Sequence, residues 1–246
     1  MKKMNFIKLF KRYLFFLFKN KKNIDNQKFQ NNPSLDYLCS FYGTDKAEKY
    51  NDGLGHGYTK YYVKHLDRLK NKKIKFLEIG CGDGISAAAF TKYFKNSTAY
   101  CLDINLTYVK IKSKKINFFG LNSSNLKQMN NFLRKSNLKK NSFDFIIDDG
   151  SHNLSDQLFS LNFFLPYLKK GSFYIIEDYK FPNYFKRHND INEFKISEIL
   201  TKIKSKKFFK SNIIEKITMK ELILSKIFKY KGNRIYSDIV FIKKTN

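Results

Sequence analysis

Apolar runs alternate with helix-like stretches from residue 74 to residue 178. IKFLEIG (74–80) is an apolar run that ends in glycine, and the segment Ser86–Phe94 after it has helical character. TAYCLDI (98–104) and KINFFG (115–120) are two further strand-like runs. Asn125–Lys135 predicts a helix, FDFIID (143–148) a fourth strand, Leu154–Leu168 a second long helix, and SFYIIED (172–178) a fifth strand. Strands separated by helices imply parallel pairing through right-handed crossovers, hence an α/β, doubly wound, mostly parallel sheet. The tail departs from this rhythm. KIFKY and IYSDIVFIKK lie close together around Lys231-Gly232-Asn233, which predicts a closing hairpin with an antiparallel edge strand.

Before the alternation begins, residues 34–72 are helical in part and are interrupted by the glycine-rich NDGLGHGYTKYY. IDNQKFQNNP (24–33) is polar and patternless and reads as a linker. The organisation expected is a basic N-terminal segment and linker over 1–35 and one domain over 36–246. The first 22 residues, MKKMNFIKLFKRYLFFLFKNKK, place Phe6, Phe10, Tyr13, Leu14 and Leu17 at helical spacing among Lys and Arg. The uncharged stretch Tyr13–Phe18 is too short for a signal core or a bilayer span. It fits an amphipathic helix on an anionic membrane surface, or equally one packed on its own protein or on a second subunit.

With 246 residues the chain can bury a substantial core, and its hydrophobic content of 42% is that of a folded protein. Lys and Arg number 48 against 21 Asp and Glu, a formal net charge of +27. An anionic partner would suit that balance, yet the lysines are spread along the chain rather than gathered in a stripe. Cys39, Cys81 and Cys101 are an odd count without a secretory cleavage pattern, as for free thiols in a reducing cytosol.

Candidate chemistry begins at LEIGCGDG (77–84). Gly80, Gly82 and Gly84 follow the first strand directly, where glycines allow a tight turn and a close approach of backbone to ligand. Asp103 closes the next strand, placed to accept hydrogen bonds from ribose hydroxyls. The G-x-G-x-G spacing, preceded by Glu78, differs from the dinucleotide pattern and suits a cationic ligand better than a pyrophosphate. These features resemble the S-adenosylmethionine-dependent methyltransferases, whose fold is a seven-stranded Rossmann-like sheet. FYGTDK (41–46), HGYTKYY (56–62), LEIGCGDG, FIIDDGSH (145–152) and YIIEDY (174–179), in that order, further resemble the macrocin-type metal-dependent sugar O-methyltransferases. The likeness runs from about residue 40 onward. It implies S-adenosylmethionine as cofactor, held by Glu78, Gly80, Gly82, Gly84 and Asp103. It departs from the family at GLNSSN, where Leu121 replaces an acid and Asn122 keeps the amide expected near adenine. Tyr42, Thr44 and Asp45, with Tyr58, are expected to close over cofactor or substrate.

Two predicted strands end in acids, at Asp149 and at Glu177-Asp178. In an open α/β sheet, ligands bind beyond the carboxyl ends of the strands. Three carboxylates crowded there would repel one another unless a proton or a cation intervenes. A hard divalent cation meets that need, and the resemblance implies the same three as metal ligands, with Mg²⁺ expected and Mn²⁺ or Fe²⁺ as alternatives. Asp-Gly turns and Glu-Asp helix caps are the ordinary uses of these pairs. Their coincidence with the glycine loop and His152 favours a site. His152 lies three residues past Asp149, and histidine titrates near neutrality, so it can take a proton from a hydroxyl. The resemblance gives it the role of base.

The expected reaction is methyl transfer to a hydroxyl of a sugar, free as a nucleotide sugar or within a surface glycan (capsule or lipopolysaccharide), at the cytoplasmic face. A catechol-type O-methyltransferase would share the metal geometry and is the alternative. A nucleic-acid methyltransferase would carry an N-P-P-Y-like run or catalytic lysines where this chain has DDGSH.

Overall fold

The computed structural model of the protein describes residues 6–30 and 32–245. Residues 1–5 of the predicted amphipathic segment, the side chains of Phe6 and Leu9, Asn31 and Asn246 lie outside that description. The fold is mixed α/β with a mostly parallel central sheet and, among the described residues, nine α-helices. Two compact parts meet in the sequence between Phe132 and Leu133.

The N-terminal part contains helices α1 (Phe6–Phe18), α2 (Leu35–Tyr42) and α3 (Thr59–Leu66), then strand β1 (Ile74–Ile79), α4 (Ile85–Tyr93), β2 (Ser97–Asp103) and β3 (Ile116–Gly120). Strand β2 runs parallel to both β1 and β3, from Ile74↔Ser97 to Ile79↔Leu102 and from Ala99↔Ile116 to Asp103↔Gly120. All of β1 except Lys75 is buried, which is why it reads as a continuous apolar run rather than an alternation. Helix α4 is buried nearly all round, with Phe90 5.0 Å from the Tyr62 ring of α3 and 6.0 Å from Phe76 of β1.

The stretch 24–33 is tied down more firmly than a linker would be. Lys22 and Asn23 pair with Ile111 and Lys112, Ile24 is fully buried, and Asp25 accepts from the Ser113 hydroxyl and the Lys114 amide. One buried isoleucine in a polar run carries no periodicity, so the pattern gave no sign of it.

The C-terminal part contains β4 (Phe143–Asp148), α6 (Leu154–Phe164) and β5 (Leu168–Ile176). After them come α7 (Phe181–Tyr184), α8 (Ile196–Lys204), α9 (Lys216–Leu224), β6 (Lys226–Lys231) and β7 (Asp238–Lys243). Helix α5 (Leu126–Lys135) carries the boundary between the two parts. Strands β4 and β5 are parallel, aligning Asp148 with Ile176. The tail forms the expected hairpin, β6 antiparallel to β7 and β7 antiparallel to β5.

Asp238, at the start of β7, is 2% exposed and gathers three donors. The Lys180 ammonium lies at 2.7 Å, the Tyr184 hydroxyl at 2.7 Å and the Lys231 ammonium at 3.0 Å. The Tyr179 amide bonds to the Asp238 carbonyl as well, so the chain just after β5 is fastened to β7. Burial works to raise the Asp238 pKa, but Lys180, Tyr184 and Lys231 outweigh it and hold it below the ordinary value. A depressed carboxyl stabilises the fold above its unfolded pKa and loses that contribution as pH falls. Asp238→Asn should therefore cost roughly 2 kcal/mol at neutral pH. The deficit should narrow as pH drops below about 4, where the unfolded chain begins to bind a proton that the folded carboxyl still resists. Paired urea melts at pH 7 and pH 3 check this; a deficit of equal size at both would contradict it.

Candidate functional site

Two constellations carry the predicted chemistry, one in each part. In the N-terminal part the turn after β1 holds Gly80, Gly82 and Gly84 at φ 81°, 51° and 84°, all in the left-handed region. A β-carbon on Gly84 would lie 2.8 Å from the Phe118 ring, whereas one on Gly82 would meet nothing within 4 Å. Packing therefore demands Gly84, while Gly82 borders open space. The Gly82 amide donates to Asp103 at 2.9 Å, and the Asn105 amide to its other oxygen at 2.7 Å. Burial raises the Asp103 pKa, against the pull of those amides and of Arg12. Each Asp103 oxygen keeps a second acceptor site, so the carboxylate can still take a pair of ribose hydroxyls. Glu78 is fully buried and accepts the Ser86 hydroxyl at 2.6 Å, which joins the end of β1 to the start of α4.

The other residues expected around the cofactor are arranged differently. The Asn122 side chain accepts the Ser124 amide at 2.9 Å within its own turn, and Leu121 beside it is buried. The Tyr42 hydroxyl donates to Gln27 at 2.9 Å, and burial pushes its pKa up to about 12. Thr44 and Tyr58 are buried, the latter completely, with its ring 5.1 Å from His56. The segment they bracket is stitched by backbone bonds from Gly57 to Ala47 and from Tyr58 to Lys46. Gly55 permits that close approach, since a β-carbon there would overlap the Ala47 carbonyl oxygen at 1.9 Å.

Helix α1 reaches this region; the sequence allowed a helix packed on its own protein but not these partners. The Arg12 guanidinium donates to the Ile104 carbonyl at 3.1 Å, one residue past Asp103, and Lys19 donates to the Thr107 carbonyl at 2.8 Å. Phe16 packs edge-on against Phe118 at 5.9 Å, the same ring that fills the space left by Gly84.

In the C-terminal part, Asp149, His152 and Asp178 each present one ligand atom within 4.8 Å of the others. His152 Nε2 lies 3.9 Å from Asp149 Oδ1, and both side chains are partly exposed while Asp178 is buried. His152 at φ 59° and Asp178 at φ 51° occupy left-handed backbone despite their side chains, a strain that functional sites concentrate. Glu177 lies outside the group of three; it is buried, and its amide bonds to the Asp148 carbonyl at 3.0 Å. Two carboxylates and an imidazole converging at this span suit a divalent cation.

Neighbours shape this centre. Phe181 stands 4.7 Å from the His152 ring and 5.5 Å from His188, which in turn meets the Asn153 amide oxygen at 3.0 Å. Burial, then the charges of Arg187 and His152, push the His188 pKa below its ordinary value. Asp148, the residue before Asp149, is buried beside the Tyr174 hydroxyl at 3.3 Å, and desolvation lifts its pKa to about 7. Neither His188 nor Asp148 stood out in the sequence: the first lies outside any motif, and the second reads as the end of a strand.

A methyltransferase-domain family matches residues 70–232. L-olivosyl-oleandolide 3-O-methyltransferase of Streptomyces antibioticus is 30% identical over 154 residues, covering 59% of this chain and 37% of that protein. Demethylmacrocin O-methyltransferase of Streptomyces fradiae is 28% identical over 153 residues, again 59% of this chain and 36% of the relative. The structure of the MycE methyltransferase from the mycinamycin pathway, in complex with Mg, SAH and mycinamycin VI, superposes with a TM-score of 0.67 at 21% identity. That match covers 87% of this chain and 55% of the other. The chain thus spans little over a third of the curated relatives and about half of the solved one. Among the described residues no helix is long and apolar enough to cross a membrane.

Proposed function

The chain belongs to the methyltransferase-domain family, and from that premise we propose that it is an S-adenosylmethionine-dependent, metal-dependent sugar O-methyltransferase. The observation that carries this reading is the convergence of Asp149, His152 and Asp178 in the C-terminal part. A methyltransferase acting on a carbon or on a basic nitrogen has no need of two carboxylates around an imidazole. A sugar hydroxyl does have such a need, because it is a weak nucleophile until its proton is drawn away.

The roles divide as follows. Asp103 accepts the ribose hydroxyls of the cofactor, and the amides of Gly82 and Asn105 hold its carboxylate in place. The left-handed turn 80–84 lets backbone approach the amino-acid end of the cofactor. Asp149 and Asp178 supply oxygens to a divalent cation, with Glu177 the further carboxylate that the sequence nominates. When bound, S-adenosylmethionine supplies the methyl group and the cation polarises the acceptor oxygen. His152 takes the acceptor's proton, oriented by the adjacent Phe181 ring. No covalent enzyme intermediate is needed; the protein aligns the partners and places charge.

The relatives named above are O-methyltransferases by name, and the olivosyl group in the name of the first supports a glycosyl acceptor. A neutral, hydroxyl-rich group that chelates through adjacent oxygens fits an acidic, cation-holding site, and the surplus of 27 positive charges favours a substrate with phosphates elsewhere. We accordingly favour a hexose or heptose of a nucleotide sugar, or of a lipid-linked capsule or lipopolysaccharide precursor, at the cytoplasmic face. Incubation with S-adenosylmethionine, Mg²⁺ and panels of nucleotide sugars, glycans, catechols and RNA, read by mass spectrometry, decides the class. One added methyl on a sugar hydroxyl is the expected product. Transfer confined to catechols or to RNA would overturn the proposal.

A further inference from the structure

Helix α1 has two faces with different fates. Arg12, Phe16 and Lys19 turn inward and bind the Ile104 carbonyl, the Phe118 ring and the Thr107 carbonyl. On the opposite side Phe10, Leu14, Leu17 and Phe18 are 51%, 37%, 49% and 85% exposed. At 3.6 residues per turn these four fall within about a third of the circumference, centred opposite Arg12 and Phe16. A helix that turns Arg12 and Lys19 to its own protein while four large apolar side chains point away is unusual for a water-facing element.

We infer that this outward face docks on an anionic lipid surface. Thirteen residues make a helix about 20 Å long, too short to cross a hydrocarbon core of about 30 Å, so the helix would lie in the interface plane. Lys8, Lys11 and Lys22 are exposed on and just beyond the same helix, where phosphates of lipid headgroups would meet them. Charge also selects the occupant. A second copy of this chain would bring another +27 against the patch, whereas an anionic bilayer is attracted by it. The inward contacts fix the helix to the part that carries Asp103 and the glycine turn, so the docked face belongs to a rigid support.

The test uses the full chain with phosphatidylcholine vesicles, prepared with and without phosphatidylglycerol, in a sedimentation assay. Binding should be at least tenfold tighter to the anionic vesicles and should weaken as salt is raised, as screening requires. Phe10→Ser/Phe18→Ser should lose at least tenfold of that binding while its melting temperature stays that of the wild type. Lys8→Glu/Lys11→Glu should lose binding through charge with the apolar face intact. Equal binding of the Phe10/Phe18 variant, or equal affinity for neutral and anionic vesicles, overturns the inference. So does a protein that ignores vesicles but dimerises in sedimentation velocity through the face those substitutions remove.

Discussion

Asp149→Ala should lower turnover by about 10³-fold while cofactor binding stays near the wild-type level. A bound cation contributes several kcal/mol of charge stabilisation at the reacting oxygen, and each tenfold in rate corresponds to about 1.4 kcal/mol. Losing roughly 4 kcal/mol of that term gives the stated factor. Cofactor affinity should survive because Asp103, its amide donors and the glycine turn are made entirely within residues 80–105. Excess chelator should reproduce the loss in the wild type, and Mg²⁺, Mn²⁺ or Fe²⁺ should reverse it. Isothermal titration with S-adenosylmethionine alongside turnover separates the two terms. Full activity of the wild type in excess chelator would end the metal-dependent reading.

His152→Ala should cost roughly 10²–10⁴-fold in turnover, the usual range for removal of a general base. Its position admits a second role, because one of its ring nitrogens belongs to the same group of ligand atoms as the two carboxylates. Cation affinity distinguishes the roles. A base leaves Mn²⁺ binding, followed by electron paramagnetic resonance, nearly unchanged when removed. A ligand takes it away with the activity. An unchanged turnover would remove His152 from the chemistry altogether, and a loss confined to S-adenosylmethionine binding would make it structural.

The strands of the sheet were plain in the sequence because buried parallel strands leave continuous apolar runs, as Ile74–Ile79 and Phe143–Asp148 do. Helices α8 and α9 were not read, for in 196–224 isoleucine and lysine mingle without the strand-then-helix punctuation that marked the earlier elements. Among the site residues, the glycine turn and Asp103 were legible because glycine spacing and a strand-ending acid are local signals. Which carboxylate of Glu177-Asp178 joins Asp149 was not. The chain leaves β5 at Ile176 and turns through left-handed backbone at Asp178, so strand alternation stops predicting direction there. Long-range placement was equally hidden: nothing in MKKMNFIKLFKRYLFF shows that Arg12 will meet the carbonyl next to Asp103.

The left-handed backbone at His152 and Asp178 has an evolutionary consequence. Such conformations cost on the order of 1–3 kcal/mol for residues with side chains, and glycine would relieve that cost at either place. Selection for robustness alone would therefore drift towards glycine at the two positions where chemistry needs an imidazole and a carboxylate. A library of this protein screened only for heat resistance should enrich for folded, inactive variants at 152 and 178. Persistence of histidine and aspartate there would be the mark of selection acting on turnover rather than on the fold.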